Sequence, residues 1–172
     1  MGESPTGGSE VLFERLLKVN RQALRRLAAS YARVASDQDD LLQEIAIALW
    51  RALPKFRGEC SERAFLFRIA HNRCMSYVVK RRSTIGLLDT QVDPEDPRCN
   101  VEAQLSREHE RGRLARAIQQ LPLIYREVVL LMLEGLDYRE ISEVVGISES
   151  NVGARLNRAR QQLKKAMDEE LS

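Results

Sequence analysis

The sequence predicts an all-α protein, two small helical domains joined by a flexible acidic linker. Three observations predict it. Leu, Ala, Arg and Glu dominate a chain of 172 residues and aromatics make up only 5% of it, a composition that favours helix. Apolar residues recur at helical spacing along most of the chain, and no long alternating Val/Ile/Thr run asks for a sheet. Charge is unevenly spread. Residues 1–82 carry 15 Lys and Arg against 9 Asp and Glu, residues 83–104 carry one Arg against five acids, and residues 105–172 carry 11 of each sign. A basic block, an acidic joint and a balanced block divide the chain into modules at 10–82 and 105–168, with a linker at 83–104.

With 44% hydrophobic and 30% charged residues, the chain can build a packed core and is not disordered as a whole. No apolar stretch approaches the roughly 20 residues of a transmembrane helix. The Gly/Ser-rich, acidic opening from Met1 to Glu10 lacks the basic and apolar parts of a signal peptide. A cytoplasmic protein with no membrane insertion is therefore expected. Cys60, Cys74 and Cys99 are odd in number and show no short paired spacing, so they do not form a disulfide framework. His71 and Cys74 share a helix face, with Cys60 upstream, which raises a zinc or redox site. Partly buried structural cysteines are the simpler reading, and no metal or other cofactor is expected.

The first helix is predicted from Glu10 to Val34, with Phe13, Leu16, Leu17, Leu24, Leu27 and Tyr31 on one face. Ser36 or one of the following acids can cap a second helix, whose stripe of Leu41, Leu42, Ile45, Leu49 and Leu53 ends at Pro54. A basic loop follows from Lys55 to Cys60. Ser61 then caps a third helix to Arg82, with an early core face of Phe65, Leu66, Ile69 and Ala70. Periodicity fails between Ser83 and Asn100, where Pro94, Pro97 and four acids mark the linker. The second module opens with a helix from Val101 to Leu121, turned inward on Leu105, Leu114 and Ile118. Pro122 suits the first turn of the next helix, which Gly135 stops. Asp137 and Glu140 form a capping box for a short helix to Val145. Gly146 ends it, Ile147 plugs inward, and Ser148 caps the last helix from Glu149 to Met167.

Three segments can carry function. Leu136 to Leu163 reads as a helix-turn-helix, with Ile141, Val145, Ile147, Val152 and Leu156 between its helices. Its second helix leaves Ser150, Asn151, Ala154, Arg155 and Arg158 outward, with Arg160, Lys164 and Lys165 behind them. Such a helix suits the major groove, where Asn and Arg read base edges and Arg also holds phosphates. Asp37, Asp39, Asp40, Gln43 and Glu44 form an acidic patch at a helix start. A helical metal-dependent enzyme using Asp37, Asp39, Asp40 and Glu44 is conceivable from it, but no His or further acid completes the shell and no second constellation supplies a base. Lys55, Phe56, Arg57, Gly58, Phe65, Arg68, Asn72 and Arg73, with Arg81 at the far end, mix aromatics and cations. That mixture suits unpaired bases, which stack on rings while cations track the backbone.

These segments together resemble a known family. Asp37-x-Asp39-Asp40-Leu41-Leu42-Gln43-Glu44 resembles region 2.2 of bacterial sigma factors. Phe56-Arg57-Gly58 with the run from Ala64 to Asn72 resembles regions 2.3 and 2.4. Tyr138 to Ile141, Gly146-Ile147 and Arg155 to Arg160 resemble region 4.2. Their order and separation are similar to those of the extracytoplasmic-function (ECF) sigma factors, which keep only domains 2 and 4. Against the family pattern, Phe65 stands for Trp, Glu62 for an aromatic, Ser142 for Ala and Gly153 for Lys. The resemblance implies a non-enzymatic factor that brings bacterial RNA polymerase core to promoters. It assigns core binding to Asp37, Asp39, Asp40, Gln43 and Glu44. It assigns the melted −10 strand to Lys55, Phe56, Arg57, Gly58, Phe65, Arg68, Asn72, Arg73 and Arg81. The −35 duplex falls to Ser150, Asn151, Ala154, Arg155, Arg158 and Arg160. An anti-sigma factor is a common partner in the family. A helix-turn-helix regulator of another kind accounts for residues 105–172 but not for the two upstream segments.

Overall fold

The computed structural model describes residues 6–32, 34–85 and 105–169, so the linker expected at 83–104 lies largely outside the described residues. Those residues form seven α-helices and a short 3₁₀ turn, with no strand among them: α1 (Thr6–Tyr31), α2 (Ala35–Ala52), the turn Leu53–Lys55, α3 (Glu62–Ile85), α4 (Leu105–Gln120), α5 (Leu123–Leu133), α6 (Tyr138–Val145) and α7 (Glu149–Glu169).

The first half packs α1, α2 and α3 against one another. Leu41, Ile45 and Leu49 recur on the buried face of α2 and meet Leu16, Leu24 and Leu27 of α1 and Leu66, Phe67 and Ala70 of α3. The helix ends differ from expectation in places. α1 begins four residues before Glu10 and closes at Tyr31, and α3 runs three residues past Arg82. The start of α2 has no side-chain cap: Val34 occupies the cap position, and Ser36 and Asp37 already lie inside the helix. Ser61 does cap α3, accepting from the Ala64 N–H at 3.0 Å.

In the second half α5 is the central helix, with Val128 and Leu131 almost fully buried. α4 turns Ala117 and Ile118 inward and leaves Leu114 exposed, against the expected inward face. Pro122 sits at the N-cap of α5 rather than inside its first turn. The Asp137/Glu140 capping box is complete, because the Glu140 N–H donates to Asp137 at 2.8 Å and Glu140 accepts from the Asp137 N–H at 3.1 Å. Gly146 closes α6 at φ +77°, a left-handed conformation that glycine takes without a steric penalty. Ile147 packs half-buried on the core, and Ser148 caps α7.

The halves lie against each other, with α6 across α3, and their buried apolar residues form one continuous cluster. Polar contacts fasten the seam. Arg26 grips Glu134 through two hydrogen bonds of 2.7 Å. Arg63 donates to the Glu134 carbonyl, and Arg126 Nη1 donates to the Ser30 carbonyl at 3.0 Å. Ser61 Oγ donates to Glu140 at 2.7 Å, so the cap of α3 and the capping box of α6 are tied together.

Candidate nucleic-acid and polymerase interfaces

The acidic start of α2 splits into two orientations. Asp39, Asp40, Gln43 and Glu44 are exposed on one side of the helix, opposite Leu41 and Ile45. Asp37 turns the other way, accepting hydrogen bonds from Tyr77 Oη at 2.8 Å and Arg81 Nη1 at 2.7 Å. Asp37 is therefore an internal strut between α2 and α3, and its charge is already matched. The exposed face extends to two residues that the sequence reading missed, Ile47 and Trp50, both more than two-fifths exposed. Ile47 lies four and three residues beyond Gln43 and Glu44, and Trp50 three beyond Ile47, a helical spacing that was the available signal. The Phe13 ring supports Trp50 edge-on at 5.0 Å. The result is an acidic strip leading into an apolar end. The carboxylates do not converge, and no group of three or more metal-capable side chains occurs among the described residues.

The basic loop and α3 form the second surface. Lys55, Arg57 and Gly58 are exposed, and Gly58 holds φ +76°. Arg68, Asn72 and Arg73 are exposed on α3, Arg68 one turn before Asn72 and Arg73 next to it. Two residues assigned to this surface sit elsewhere. Phe65 is only 7% exposed. Phe56 covers it at a centroid distance of 4.4 Å and the Arg68 guanidinium lies 5.7 Å above its ring, so it supports the surface rather than offering a free face for stacking. Arg81 is held by Asp37 and by the Tyr77 hydroxyl, its Nη1 donating to the latter at 2.6 Å. The departure at Glu62 is accounted for locally, since Glu62 takes both oxygens to Arg15 Nη2 at 2.8 Å.

The third surface is α7. Val152, Leu156 and Ala159 are buried, which turns Ser150, Asn151, Ala154 and Arg158 outward, with Arg160 also exposed. Arg155 does not follow them. Its Nη1 donates to Glu127 Oε1 of α5 at 2.6 Å, and only about a quarter of its side chain is exposed. Gly153 faces Tyr138, whose Cε2 lies 3.5 Å from where a β-carbon would stand. The exposed face of α7 is polar and cationic, with the aliphatic wall behind it.

His71 and Cys74, both on α3, are buried. Burial lowers the His71 pKa below its ordinary value and pushes the Cys74 thiol up to about 12. A thiol so protonated is a weak nucleophile and a weak ligand. His71 Nε2 stands 3.9 Å from Glu127 Oε2. Burial raises the Glu127 carboxyl above its ordinary pKa, and Arg155 works against that rise. No helix among the described residues is long and apolar enough to cross a membrane.

Comparison with known proteins agrees with this geometry. Residues 16–84 match the family model "Sigma-70 region 2", and residues 111–163 match "Sigma-70, region 4". The chain is 31% identical to the ECF RNA polymerase sigma-E factor of Escherichia coli K12, over 88% of this chain and 90% of that protein. It is 29% identical to the RNA polymerase sigma factor CnrH of Cupriavidus metallidurans, over 94% of this chain and 89% of that one. Among solved structures, CnrH in complex with the cytosolic domain of CnrY superposes with a TM-score of 0.66 at 27% identity, covering 91% of this chain and 87% of the other. The fold also matches the sigma factor RpoE bound to the anti-sigma factor NepR of Bartonella quintana, with a TM-score of 0.73 at 22% identity over 91% and 96% of the two chains. An acid-faced α2, a cationic α3 with its loop, and a helix-turn-helix ending in an exposed polar helix thus stand in the order of sigma regions 2 and 4, and the chain belongs to the sigma-70 family, among the ECF RNA polymerase sigma factors.

Proposed function

We propose that this chain binds RNA polymerase core, carries it to promoters and helps to open them, without catalysing a reaction itself. The observation that carries the reading is the coincidence of two sigma-family regions with three exposed surfaces of matching chemistry. The strip of Asp39, Asp40, Gln43 and Glu44, continued by Ile47 and Trp50, suits docking on a basic, partly apolar surface of the polymerase. Arg57, Arg68, Asn72 and Arg73 suit the exposed bases and phosphates of a melted −10 strand. Asn72 supplies both a donor and an acceptor, as reading an extruded base requires. Ser150, Asn151, Ala154 and Arg158 suit the −35 duplex, read from the major groove. Domains at 10–82 and 105–168 divide these tasks, with 83–104 as the joint. The place of action is the cytoplasm, where polymerase and promoters are. An anti-sigma partner belongs to the reading, supported by the CnrH relative seen with another protein's cytosolic domain.

The test is association with core polymerase at physiological salt. Asp40→Lys combined with Glu44→Lys reverses two exposed charges that make no hydrogen bond or ion pair shown in the fold, and is expected to weaken binding at least tenfold while helicity is kept. Unchanged affinity would remove α2 from the polymerase interface.

A further inference from the structure

Glu127 is the least exposed acid among the described residues, at 5%. A carboxylate in such a place must be paired or lose its charge. Its partner is Arg155, on the helix assigned to duplex reading, and the contact is short, 2.6 Å. On its other side is His71 of α3, from the opposite half of the molecule, 3.9 Å away and itself buried. The next residue, Arg126, reaches across the same seam to the Ser30 carbonyl. The first half of the chain therefore forms part of the cover over Glu127, and separation of the halves brings water to it.

That cover sets the strength of the grip. Two charges at a fixed distance attract about four times more strongly at an effective dielectric near 20 than in bulk water. The compact arrangement is also not one that spans a promoter. Positions −35 and −10 lie about 25 base steps apart, or about 85 Å of duplex at 3.4 Å per step. A compact chain of this length has a radius of gyration of about 16 Å. Contact with both elements requires the halves to part.

We propose that Glu127 is a positioning residue that couples domain closure to promoter reading. With the halves closed it clamps Arg155 and withholds that guanidinium from duplex DNA. With the halves apart the clamp loosens and Arg155 joins Asn151 and Arg158 on the groove. This inference rests on the reading of α7 as the duplex-reading helix.

The experiment uses the full chain, free and bound to core polymerase, and a duplex carrying the upstream element that wild-type holoenzyme selects from a random pool. Glu127→Gln keeps the size of the side chain and removes its charge. In the free chain it is expected to bind the duplex about fivefold tighter or more, the lower end of what one well-placed side-chain-to-base contact is worth. The gain should vanish when Arg155→Ala is added, and shrink in the holoenzyme. Arg26→Glu, which sets like charges against each other at the seam and leaves Glu127 in place, should give the same Arg155-dependent gain. It also decides the matter if Glu127→Gln fails to fold. A duplex affinity that neither variant raises, or a gain that survives Arg155→Ala, overturns the proposal. In that event, loss of binding with Asn151→Ala and Arg158→Ala would leave the duplex-reading assignment standing. Selection of no element by the wild-type holoenzyme would bring down both.

Discussion

Single residues decide how much of each surface is free to act. On α3 the exposed Asn72 and, in the preceding loop, Arg57 are the residues on which strand capture should depend. Asn72→Ala and Arg57→Ala are expected to bind a pre-melted −10 bubble with lower affinity and less sequence selectivity, while duplex binding by α7 is unchanged. Equal affinity and selectivity for the non-template strand would place the pocket elsewhere. His71 gives a pH prediction. Burial lowers its pKa from the ordinary 6.5, so below about 6.5 the unfolded chain takes up a proton that the folded chain resists. Its contribution is therefore lost as pH falls from 6.5 toward the lowered value. Glu127, raised by burial, shifts in the opposite sense, but it is common to both proteins in the comparison. Thermal melting of His71→Gln should thus lose less stability than wild type between pH 6.5 and 5, and parallel melting curves would show that His71 does not resist protonation. The residues hardest to see in the sequence were those with distant partners. Arg81 and Arg155 fit their motifs as exposed contacts, and each is instead taken up by a residue 44 or 28 positions away, Asp37 and Glu127. For Phe65 the helical period, which puts it on the core face, and not the motif, which offers it as a platform, matches its burial under Phe56. Spacing along one helix gives its face, not what packs on that face.

At the scale of elements, local chemistry was legible. The Asp137/Glu140 box, the Ser61 and Ser148 caps and the Gly146 stop all work within three or four residues, so the sequence alone contains both partners. The start of α2 was misread because several cap-forming residues lie in a row there and the helix begins upstream of them, at Ala35. Leu114 shares the face of Ala117, Ile118 and Leu121 by spacing but is 39% exposed, because periodicity gives the face of a helix and not how far along it the packing reaches. α7 carries a weakness that can be tested. Gly153 lies in its interior, where glycine costs about 1 kcal/mol relative to alanine, and an added β-carbon would meet Tyr138 at an ordinary contact distance of 3.5 Å. Gly153→Ala should raise Tm by about 2–4 °C, and a fall in Tm would mean that Tyr138 cannot accommodate the methyl group.

At the scale of the whole molecule, two halves are fastened along one seam by Arg26, Arg63, Ser61 and Arg126. Charge distribution along the chain announced the two halves. Their contact was not legible, because each seam bond joins residues about 70 to 110 positions apart. The exposed strip of α2 and the exposed face of α3 remain open with the halves together, so the proposed docking on the polymerase does not require the halves to part first. The central claim is that this chain gives polymerase core a promoter preference it otherwise lacks. Transcription from a promoter library by purified core, with and without the chain, measures it. Initiation should start at defined sites sharing two spaced sequence elements only when the chain is present. Core that associates with the chain no better than with an unrelated basic protein, and initiates without preference in its presence, would contradict the account.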